Sequence, residues 1–486
     1  MIYKLRPYQE DCVKSISDYI NSDRHDPVLI VGPVGCGKSI LIAEAARLMG
    51  DKTIILQPSK ELLQQNYDKL TSYGIPATIY SASCGKKELS NMIYATLGSI
   101  KKVVGQLKEM GIRNVLIDEA HAGYSPEDGS EFMTFMNELK PRKVIGFTAT
   151  PCRLKNMSIG QTSYSQLNFI TRMRPVYFKN LIHVIQVEEM IRQGFWTPLK
   201  YETWDFNGDA LKLNSNGSEY TAESISEAVR KNGLNNLILR RLMVLKDVCR
   251  SILVFMDSVE SCNTAAEWMN AKICAGMAEV VHGGTPKKQR EAIVERFKSG
   301  KTKVVFNYSA LGTGFDHPGL DCVIVGRPTF SFSSFYQWLG RAVRIKDGKD
   351  SALVVDCCNN SSRFGDIREL SIENYKGYGW GMFIGDKLIT NIPMGDKVTK
   401  TDLDIKAAKK DRRRGLAQGI TTSPLPGRPD HPLGSMVMTF GKYCGWMLHS
   451  IPVSYLKFIN ETFDWDNDRN KDIKEYIDFL IKNNRL

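Results

Sequence analysis

A glycine-rich segment near the N-terminus has the composition of a phosphate-binding loop. Residues 32–39 (GPVGCGKS) follow the apolar run PVLIV and precede the helix-like run ILIAEAARLM. Glycines let the backbone curl until several N–H groups point inward, and the start of the following helix adds positive potential. In this setting Lys38 would reach the β- and γ-phosphates and the Ser39 hydroxyl would bind Mg²⁺. The segment predicts a nucleoside-triphosphate site, but kinases, transporters and GTPases share it.

Two carboxylates follow another apolar run. Asp118 and Glu119, in the tetrapeptide DEAH, come directly after NVLI. A carboxylate at the end of a strand beside a phosphate loop is placed to hold Mg²⁺, directly or through water. The next carboxylate can polarise water in line with the γ-phosphate. We therefore expect Asp118 to bind the metal and Glu119 to activate the water that attacks ATP.

Three further segments carry hydroxyl, glycine and arginine residues. Residues 148–151 read TATP and follow VIGF, residues 309–316 read SALGTGFD, and residues 337–344 read QWLGRAVR. Planar guanidinium groups suit phosphate oxygens. Taken in order with the loop and the DEAH tetrapeptide, these segments resemble the motifs of superfamily 2 helicases. The resemblance covers residues 1–365.

The resemblance implies a role for each matching residue. Arg344 would be the arginine finger that stabilises charge in the transition state, with Arg341 and Gln337 beside it. Gln9 matches the glutamine that reads adenine, since an amide can donate to N7 and accept from the exocyclic amine. The residues expected to couple hydrolysis to domain movement are His121, Thr148 and Thr150. The other residues expected around the nucleotide are Gly32, Gly35, Cys36, Gly37, Gly314 and Asp316.

A track for a nucleic-acid strand is also implied, along one edge of both domains. The residues expected to contact the strand are Pro58, Ser59, Thr96, Ser99, Ser258 and Thr313. Hydroxyl and backbone N–H groups bind phosphate and sugar, so little sequence preference is expected. For each residue taken singly, a helix cap or a packing role is the alternative.

The elements that must position these residues are short apolar runs alternating with amphipathic stretches of helical period. One series of runs covers residues 28–31, 53–56, 115–117 and 144–147, and a second covers 252–255, 303–306, 322–325 and 353–355. Near-continuous apolar runs of this length are typical of parallel sheets covered on both faces. The two series therefore predict an α/β fold with two tandem domains, residues 1–200 and 201–365. The resemblance implies that these are RecA-like domains that grip one nucleotide between them.

The rest of the chain has a different composition. The basic run KAAKKDRRR and the segment SPLPGRPDHPLG predict a linker over residues 366–432. A small α+β module is expected over residues 433–486, ending in a helix over 471–483. Its stretch MTFGKYCG resembles a small FGKxxG domain of phage proteins. The module would touch a strand by charge and stacking, or form a folding unit with Phe440, Tyr455 and Leu456 as its core.

The composition bounds the partners and the compartment. The net charge of +12 over 486 residues suits a polyanion. The 11 cysteines form no CxxC pair, which favours a reducing compartment over disulfides or a zinc site. No run approaches the ~18 apolar residues of a membrane span, and the N-terminus does not read as a signal peptide. We expect a cytoplasmic, monomeric motor without a membrane partner, located in the host cytoplasm if phage-encoded.

The matching segments favour DNA over RNA as the partner. Gln9 lies too near the N-terminus to carry the upstream aromatic of DEAD-box RNA helicases, and the arginine segment begins with Gln337 rather than histidine. The sequence looks closest to compact phage and bacterial repair helicases, such as the UvsW and RecQ-like groups. The leading prediction is a DNA helicase that uses ATP and Mg²⁺ to unwind or branch-migrate DNA. The alternatives are a duplex translocase that does not unwind, an ATP-gated clamp and an RNA helicase.

Overall fold

The computed structural model describes most of the chain and divides it into two compact units. The described residues are 4–50, 52–159, 162–311, 315–376, 378–407, 433, 436, 438, 443, 446–462, 465 and 470–483. The larger unit is Met1–Lys400 and the smaller is Thr401–Leu486. None of the helices within the described residues is long and apolar enough to cross a bilayer.

The N-terminal lobe of the larger unit contains a sheet and a hairpin. Its strands are β1 (Val28–Val31), β2 (Thr53–Leu56), β3 (Thr78–Ser81), β4 (Lys86–Lys87), β5 (Met92–Ala95), β6 (Asn114–Ile117), β7 (Lys143–Thr148), β8 (Cys152–Ile159), β9 (Thr162–Phe169) and β10 (Asn180–Val184). The sheet order is β10-β1-β7-β6-β2-β5-β3-β4, with only the β3–β4 pair antiparallel. Strands β8 and β9 pair with each other as an antiparallel hairpin.

Helices cover both faces of this sheet. Every residue of β1, β2, β5 and β6 is buried, and since successive side chains point to opposite faces, neither face is open to water. The helices of the lobe are α1 (Pro7–Asn21), α2 (Lys38–Met49), α3 (Lys60–Thr71), α4 (Leu97–Ile100), α5 (Val104–Glu109), α6 (Glu131–Leu139) and α7 (Val187–Arg192).

The second lobe repeats this architecture. Its strands are β11 (Leu199–Thr203), β12 (Ile252–Phe255), β13 (Ala278–His282), β14 (Val304–Tyr308), β15 (Cys322–Val325) and β16 (Ala352–Asp356). They form a parallel sheet in the order β11-β16-β15-β12-β14-β13. The helices are α8 (Ala222–Lys231), α9 (Leu234–Val248), α10 (Val259–Lys272), α11 (Lys287–Lys298), α12 (Phe332–Leu339) and α13 (Asn360–Phe364). The predicted α/β fold with two tandem RecA-like sheets is confirmed.

The predicted linker over residues 366–432 is wrong for its first part. The strands β17 (Leu370–Tyr375), β18 (Gly379–Ile384), β19 (Lys387–Leu388) and β20 (Val398–Thr399) form an antiparallel sheet, here called the accessory sheet. Ile372, Met382 and Phe383 are buried. The Asn391 N–H donates to Leu167 O at 2.7 Å, which ties the accessory sheet to the β8–β9 hairpin. Residues 408–432 lie outside the described part of the chain.

The smaller unit has its own core. It contains α14 (Val453–Thr462) and α15 (Lys471–Lys482), so a helix lies where one was predicted over 471–483. The buried apolar residues of this unit are Met438, Leu448, Ile451, Leu456, Ile459, Ile473, Tyr476, Ile477 and Leu480. Tyr455 packs against them, whereas Phe440 and the rest of the predicted FGK segment lie outside the described residues.

Candidate active site

The phosphate loop is shaped by one glycine with two constraints. Gly37 precedes α2 with a φ of +83°, a left-handed conformation that favours glycine. A β-carbon at this position would stand 2.6 Å from Gln9 Nε2. That same Gln9 amide donates to Cys36 O at 2.9 Å. Gln9 therefore holds the loop on the side away from the cleft, and the N-terminus of α2 faces the cleft.

Gln9 lies behind the phosphate loop. It is only 2% exposed, and its Oε1 accepts from the Arg6 N–H at 3.0 Å. Gly32 and Cys36 pack against each other, since a β-carbon on Gly32 would meet Cys36 Sγ at 2.7 Å. In this structure Gln9, Gly32 and Cys36 support the loop, and their contact with a nucleotide stays a prediction.

Two residues that sequence reasoning missed line the cleft beside the loop. The Arg6 guanidinium carbon lies 4.6 Å from the centre of the Phe195 ring, and both residues face the cleft. A planar cation stacked on an aromatic ring offers a flat surface of the kind that a nucleobase can stack on. Phe195 belongs to no motif, and only the fold brings it to Arg6.

The carboxylates of Asp118 and Glu119 lie close to the Lys38 side chain. Glu119 Oε1 is 3.8 Å from Lys38 Nζ. Asp118 accepts hydrogen bonds from the Glu119 N–H and from Asn66 Nδ2, each at 2.9 Å. Glu119 adopts a φ of +46°, an unfavourable conformation for a residue with a side chain, which is typical of functional turns.

The pKa values of Asp118 and Lys38 are both shifted in this site. Burial, reinforced by the charge of Glu119, raises the pKa of Asp118 to about 7. For Lys38, burial works to lower the pKa, but Glu119, Cys36 and Asp118 outweigh it and leave the pKa above its ordinary value. The site thus holds a charged lysine against paired carboxylates, an arrangement suited to a ligand that carries both phosphate and a cation.

A single cleft of about 330 Å³ joins the two lobes at this point. The predicted site residues that line it are Gly35, Gly37, Lys38, Ser39, Asp118 and Glu119 from the N-terminal lobe, and Asp316, Gln337, Arg341 and Arg344 from the second. The structure therefore brings the predicted lysine, carboxylates and arginines together although they are far apart in the chain.

The arginine segment is fixed to its own lobe through both its side chains and its backbone carbonyls. Arg341 donates to Phe315 O at 2.7 Å, and burial together with the charge of Arg344 lowers the pKa of Arg341 to about 10. Arg344 is ion-paired with Asp316. Lys349 Nζ donates to Ala342 O at 2.6 Å and to Arg344 O at 2.8 Å. The guanidinium of Arg344 thus sits on an anchored turn at the mouth of the cleft.

His121, Thr148 and Thr150, the predicted coupling residues, form one hydrogen-bonded group. His121 Nδ1 lies 2.8 Å from Thr148 Oγ1, and the Thr150 N–H donates to Thr148 Oγ1 at 3.0 Å. Ser333, in α12 of the second lobe, was not predicted. Its Oγ lies 3.2 Å from both His121 Nε2 and Thr150 Oγ1. The group therefore spans the lobe interface.

The residues predicted to contact nucleic acid lie just beyond the carboxyl ends of strands. Ser59 Oγ accepts from Leu62 N at 3.3 Å at the start of α3, and Ser258 Oγ accepts from Ser261 N at 3.1 Å at the start of α10. Thr96 donates to Ser99 Oγ at 3.2 Å. Pro58 is exposed after β2, whereas Thr313 and Gly314 lie outside the described residues. The hydroxyls thus serve as caps or local bonds, and their contacts with a strand stay predictions.

Comparison with known families identifies the motifs. Residues 2–153 match the family described as type III restriction enzyme, res subunit, and residues 235–346 match the helicase conserved C-terminal domain. The chain is a member of the superfamily 2 helicases.

Relatives of this superfamily 2 chain come from different sources. A 51.5 kDa protein of a Lactococcus phage (isolate 7-9) is 25% identical over 68% of this chain and 65% of its own length. The ATP-dependent DNA helicase Hel308 of Pyrococcus horikoshii is 26% identical over 69% of this chain and 49% of its own length. The chain thus spans about half to two thirds of the length of the curated relatives it matches. These matches support the superfamily rather than the UvsW or RecQ-like groups in particular.

A solved structure shares the fold. The ATP-dependent type ISP restriction-modification enzyme LlaBIII bound to DNA superposes with a TM-score of 0.53 at 15% identity, over 73% of this chain and 28% of that one.

Proposed function

We propose that this protein is an ATP-dependent DNA helicase that hydrolyses ATP to move along DNA and to unwind or branch-migrate it. The observation that carries the proposal is the single cleft in which Lys38 and Glu119 of one lobe face Arg341 and Arg344 of the other. The net charge of +12 supports a polyanionic partner, and a relative named as a DNA helicase supports DNA over RNA.

Hydrolysis would be performed by the residues around Lys38. The loop N–H groups and Lys38 would bind the β- and γ-phosphates, and Glu119 would hold the attacking water in line with the γ-phosphate. Glu119 Oε2 is buried and receives no hydrogen bond from the described residues, so it is available to accept one from water. The unusual φ of Glu119 aims its carboxylate at Lys38 and the cleft.

Ser39 and Asp118 fit a magnesium site completed by the nucleotide. The described part of the chain contains no group of three His, Cys, Asp or Glu side chains placed to hold a metal by themselves. Mg²⁺ usually takes one or two protein oxygens and completes its shell with phosphate and water. A bound ion would neutralise charge on the phosphates, while Ser39 and Asp118 would fix its position.

Movement would follow from the division of the site between lobes. When the γ-phosphate is present, Arg344 would exchange Asp316 for a phosphate oxygen and draw the second lobe toward the phosphate loop. Loss of that phosphate would weaken the contact and let the lobes separate. If strand contacts on the two lobes tighten at different stages, each cycle displaces the strand by one step.

Purified full-length protein tests the proposal on forked DNA, four-way junctions, plain duplex DNA and matched RNA, each with ATP or AMP-PNP. We expect ATP-dependent strand separation on branched DNA and DNA-stimulated ATP hydrolysis, both lost in Glu119→Gln. Strand separation confined to RNA would contradict the choice of substrate. ATP-dependent binding without any displacement of strands would contradict the helicase and favour a clamp.

A further inference from the structure

We infer that Ser333 is a positioning residue through which the placement of the second lobe reaches Glu119. The inference rests on the proposed function and adds to it a residue outside every recognised motif. Ser333 Oγ is within 3.2 Å of His121 Nε2 and of Thr150 Oγ1. One hydroxyl from the second lobe therefore contacts both the DEAH and the TATP segments of the first.

The chemistry of the group sets the direction of its hydrogen bonds. His121 Nδ1 lies 2.8 Å from Thr148 Oγ1 and 3.3 Å from Glu119 Oε2. A bare ring nitrogen would place its lone pair against that carboxylate, so Nδ1 carries the proton and donates to Thr148 Oγ1. Burial lowers the pKa of His121, which keeps the ring neutral. Nε2 is then an acceptor, and the Ser333 hydroxyl donates to it. The Thr150 hydroxyl in turn donates to Ser333 Oγ.

Within this group, Ser333 is the residue that the second lobe contributes. If Ser333 withdraws, Nε2 loses its donor and Thr150 loses its acceptor. Thr148 Oγ1 still holds the Nδ1 side of the ring, but the Nε2 side then has no anchor. Hence the ring beside Glu119 is held at both nitrogens only when the second lobe is in place.

The helix that carries Ser333 also leads into the arginine segment. Ser333 lies in the first turn of α12, which contains Gln337 and leads directly to Arg341. Phe332 and Phe335 on either side are buried, so the hydroxyl is placed by the helix and not by a mobile side chain. A shift of α12 by about 1 Å would lengthen the bond to His121 beyond hydrogen-bond range. The helix therefore delivers Ser333 and the arginines together, and water is aligned only when the guanidinium groups are also in position.

The neighbouring Ser334 provides a matched control. Its hydroxyl donates to Ser331 Oγ at 3.1 Å, and its N–H donates to the same oxygen at 3.2 Å. Those contacts cap α12 within the second lobe. Ser333 and Ser334 thus share a residue type and a helix turn, but differ in whether the hydroxyl reaches the other lobe.

The test compares ATP hydrolysis by Ser333→Ala, Ser333→Thr and Ser334→Ala, with and without forked DNA. We expect Ser333→Ala to lower the DNA-stimulated kcat about tenfold, the effect of one lost hydrogen bond in a network, with an ATP KM changed less than about twofold. Ser333→Thr should recover most of the rate, and Ser334→Ala should match the wild type. Equal rates for Ser333→Ala and wild type, or equal losses in Ser333→Ala and Ser334→Ala, would overturn the inference.

A double-mutant comparison separates positioning from simple destabilisation. If Ser333 acts through His121, then adding Ser333→Ala to His121→Ala should lower kcat no further, because interacting residues are not additive. Multiplying losses would overturn the inference. If DNA does not raise the ATP hydrolysis rate of the wild type, the proposed function is contradicted. The Ser333 inference would then be tested by comparing the variants' hydrolysis rates without DNA.

Discussion

Gly340 of the second lobe lies directly against Val34 of the phosphate loop. A β-carbon built on Gly340 would stand 2.5 Å from Val34 Cγ2 and 2.6 Å from its Cβ. On the same loop residue, the Val34 carbonyl accepts from Trp196 Nε1 at 2.8 Å. The lobes therefore also meet at the phosphate loop, where a small displacement would change the distance between the arginines and a bound nucleotide.

Gly340→Ala should hold the lobes apart. The added methyl group has no space, and overpacking of this kind costs about 1–3 kcal/mol. Because the clash is between the lobes, it is relieved when they move apart. We therefore expect a lower kcat but little change in the thermal stability of each lobe. Adding Val34→Gly should restore part of the rate, because removal of the Val34 side chain frees that space. Steady-state ATP hydrolysis by the two single variants and the double variant checks this. A double variant no faster than Gly340→Ala would argue against a steric cause.

Lys38→Ala and Glu119→Gln should both abolish ATP turnover, for different reasons. Loss of Lys38 removes the charge that binds the phosphates, so ATP affinity should fall as well. Glu119→Gln keeps the size of the side chain and removes only its ability to accept a proton and hold water, so ATP should still bind. Equilibrium binding of a fluorescent ATP analogue beside a hydrolysis assay distinguishes the two. An undiminished rate in Lys38→Ala would refute the site assignment.

Arg344→Ala should lower kcat more than it weakens ATP binding. Its guanidinium is paired with Asp316 in this structure, so much of the gain from contacting the γ-phosphate is offset by loss of that pair. The contact with phosphate would strengthen as charge develops, so its main contribution belongs to the transition state. Arginine fingers contribute a factor of at least about 10³ in kcat in related chemistry. Single-turnover hydrolysis combined with ATP titration measures both quantities. If ATP affinity drops while kcat is preserved, Arg344 is a binding residue and the finger is a different arginine.

The accessory sheet should be necessary for the stability of the larger unit. A chain ending after residue 400 retains the sheet, and we expect it to fold and hydrolyse ATP, with weaker DNA binding if the smaller unit contacts DNA. A chain ending after residue 365 loses the buried residues Ile372, Met382 and Phe383, each worth about 1.5–3 kcal/mol. Its melting temperature should fall well below that of the longer truncation. Equal melting temperatures would mean that the sheet is only an appendage.

The strands that sequence predicted well are those buried on both faces. For β1, β2, β12 and β15 the predicted and observed bounds coincide, because a run of apolar residues with no polar interruption has few other places in a fold. The phosphate loop was predicted equally well, since its glycines, preceded by a strand and followed by a helix, are typical of few other structures. The accessory sheet was missed although β17 (LSIENY) alternates apolar and polar residues. Its partner β18 (GWGMFI) contains two glycines and does not alternate, and β19 and β20 are only two residues long.

Contacts between distant segments could not be predicted from local pattern. Ser333 stands in the stretch FSFSSF, where a serine before a helix looks like an ordinary cap, and only the docking of the two lobes brings it to His121. Phe195 beside Arg6 is a case of the same kind. Ser59 and Ser258 show the opposite situation, since their caps explain the local sequence and leave their predicted strand contacts to experiment.

The most direct test of the account is a structure of the full-length protein with AMP-PNP and Mg²⁺. The account predicts that one nucleotide occupies the cleft, with its γ-phosphate in hydrogen-bond range, about 2.7–3.2 Å, of both Lys38 Nζ and the guanidinium group of Arg341 or Arg344. A γ-phosphate bound by Lys38 alone, with both guanidinium groups directed away from it, would contradict the account.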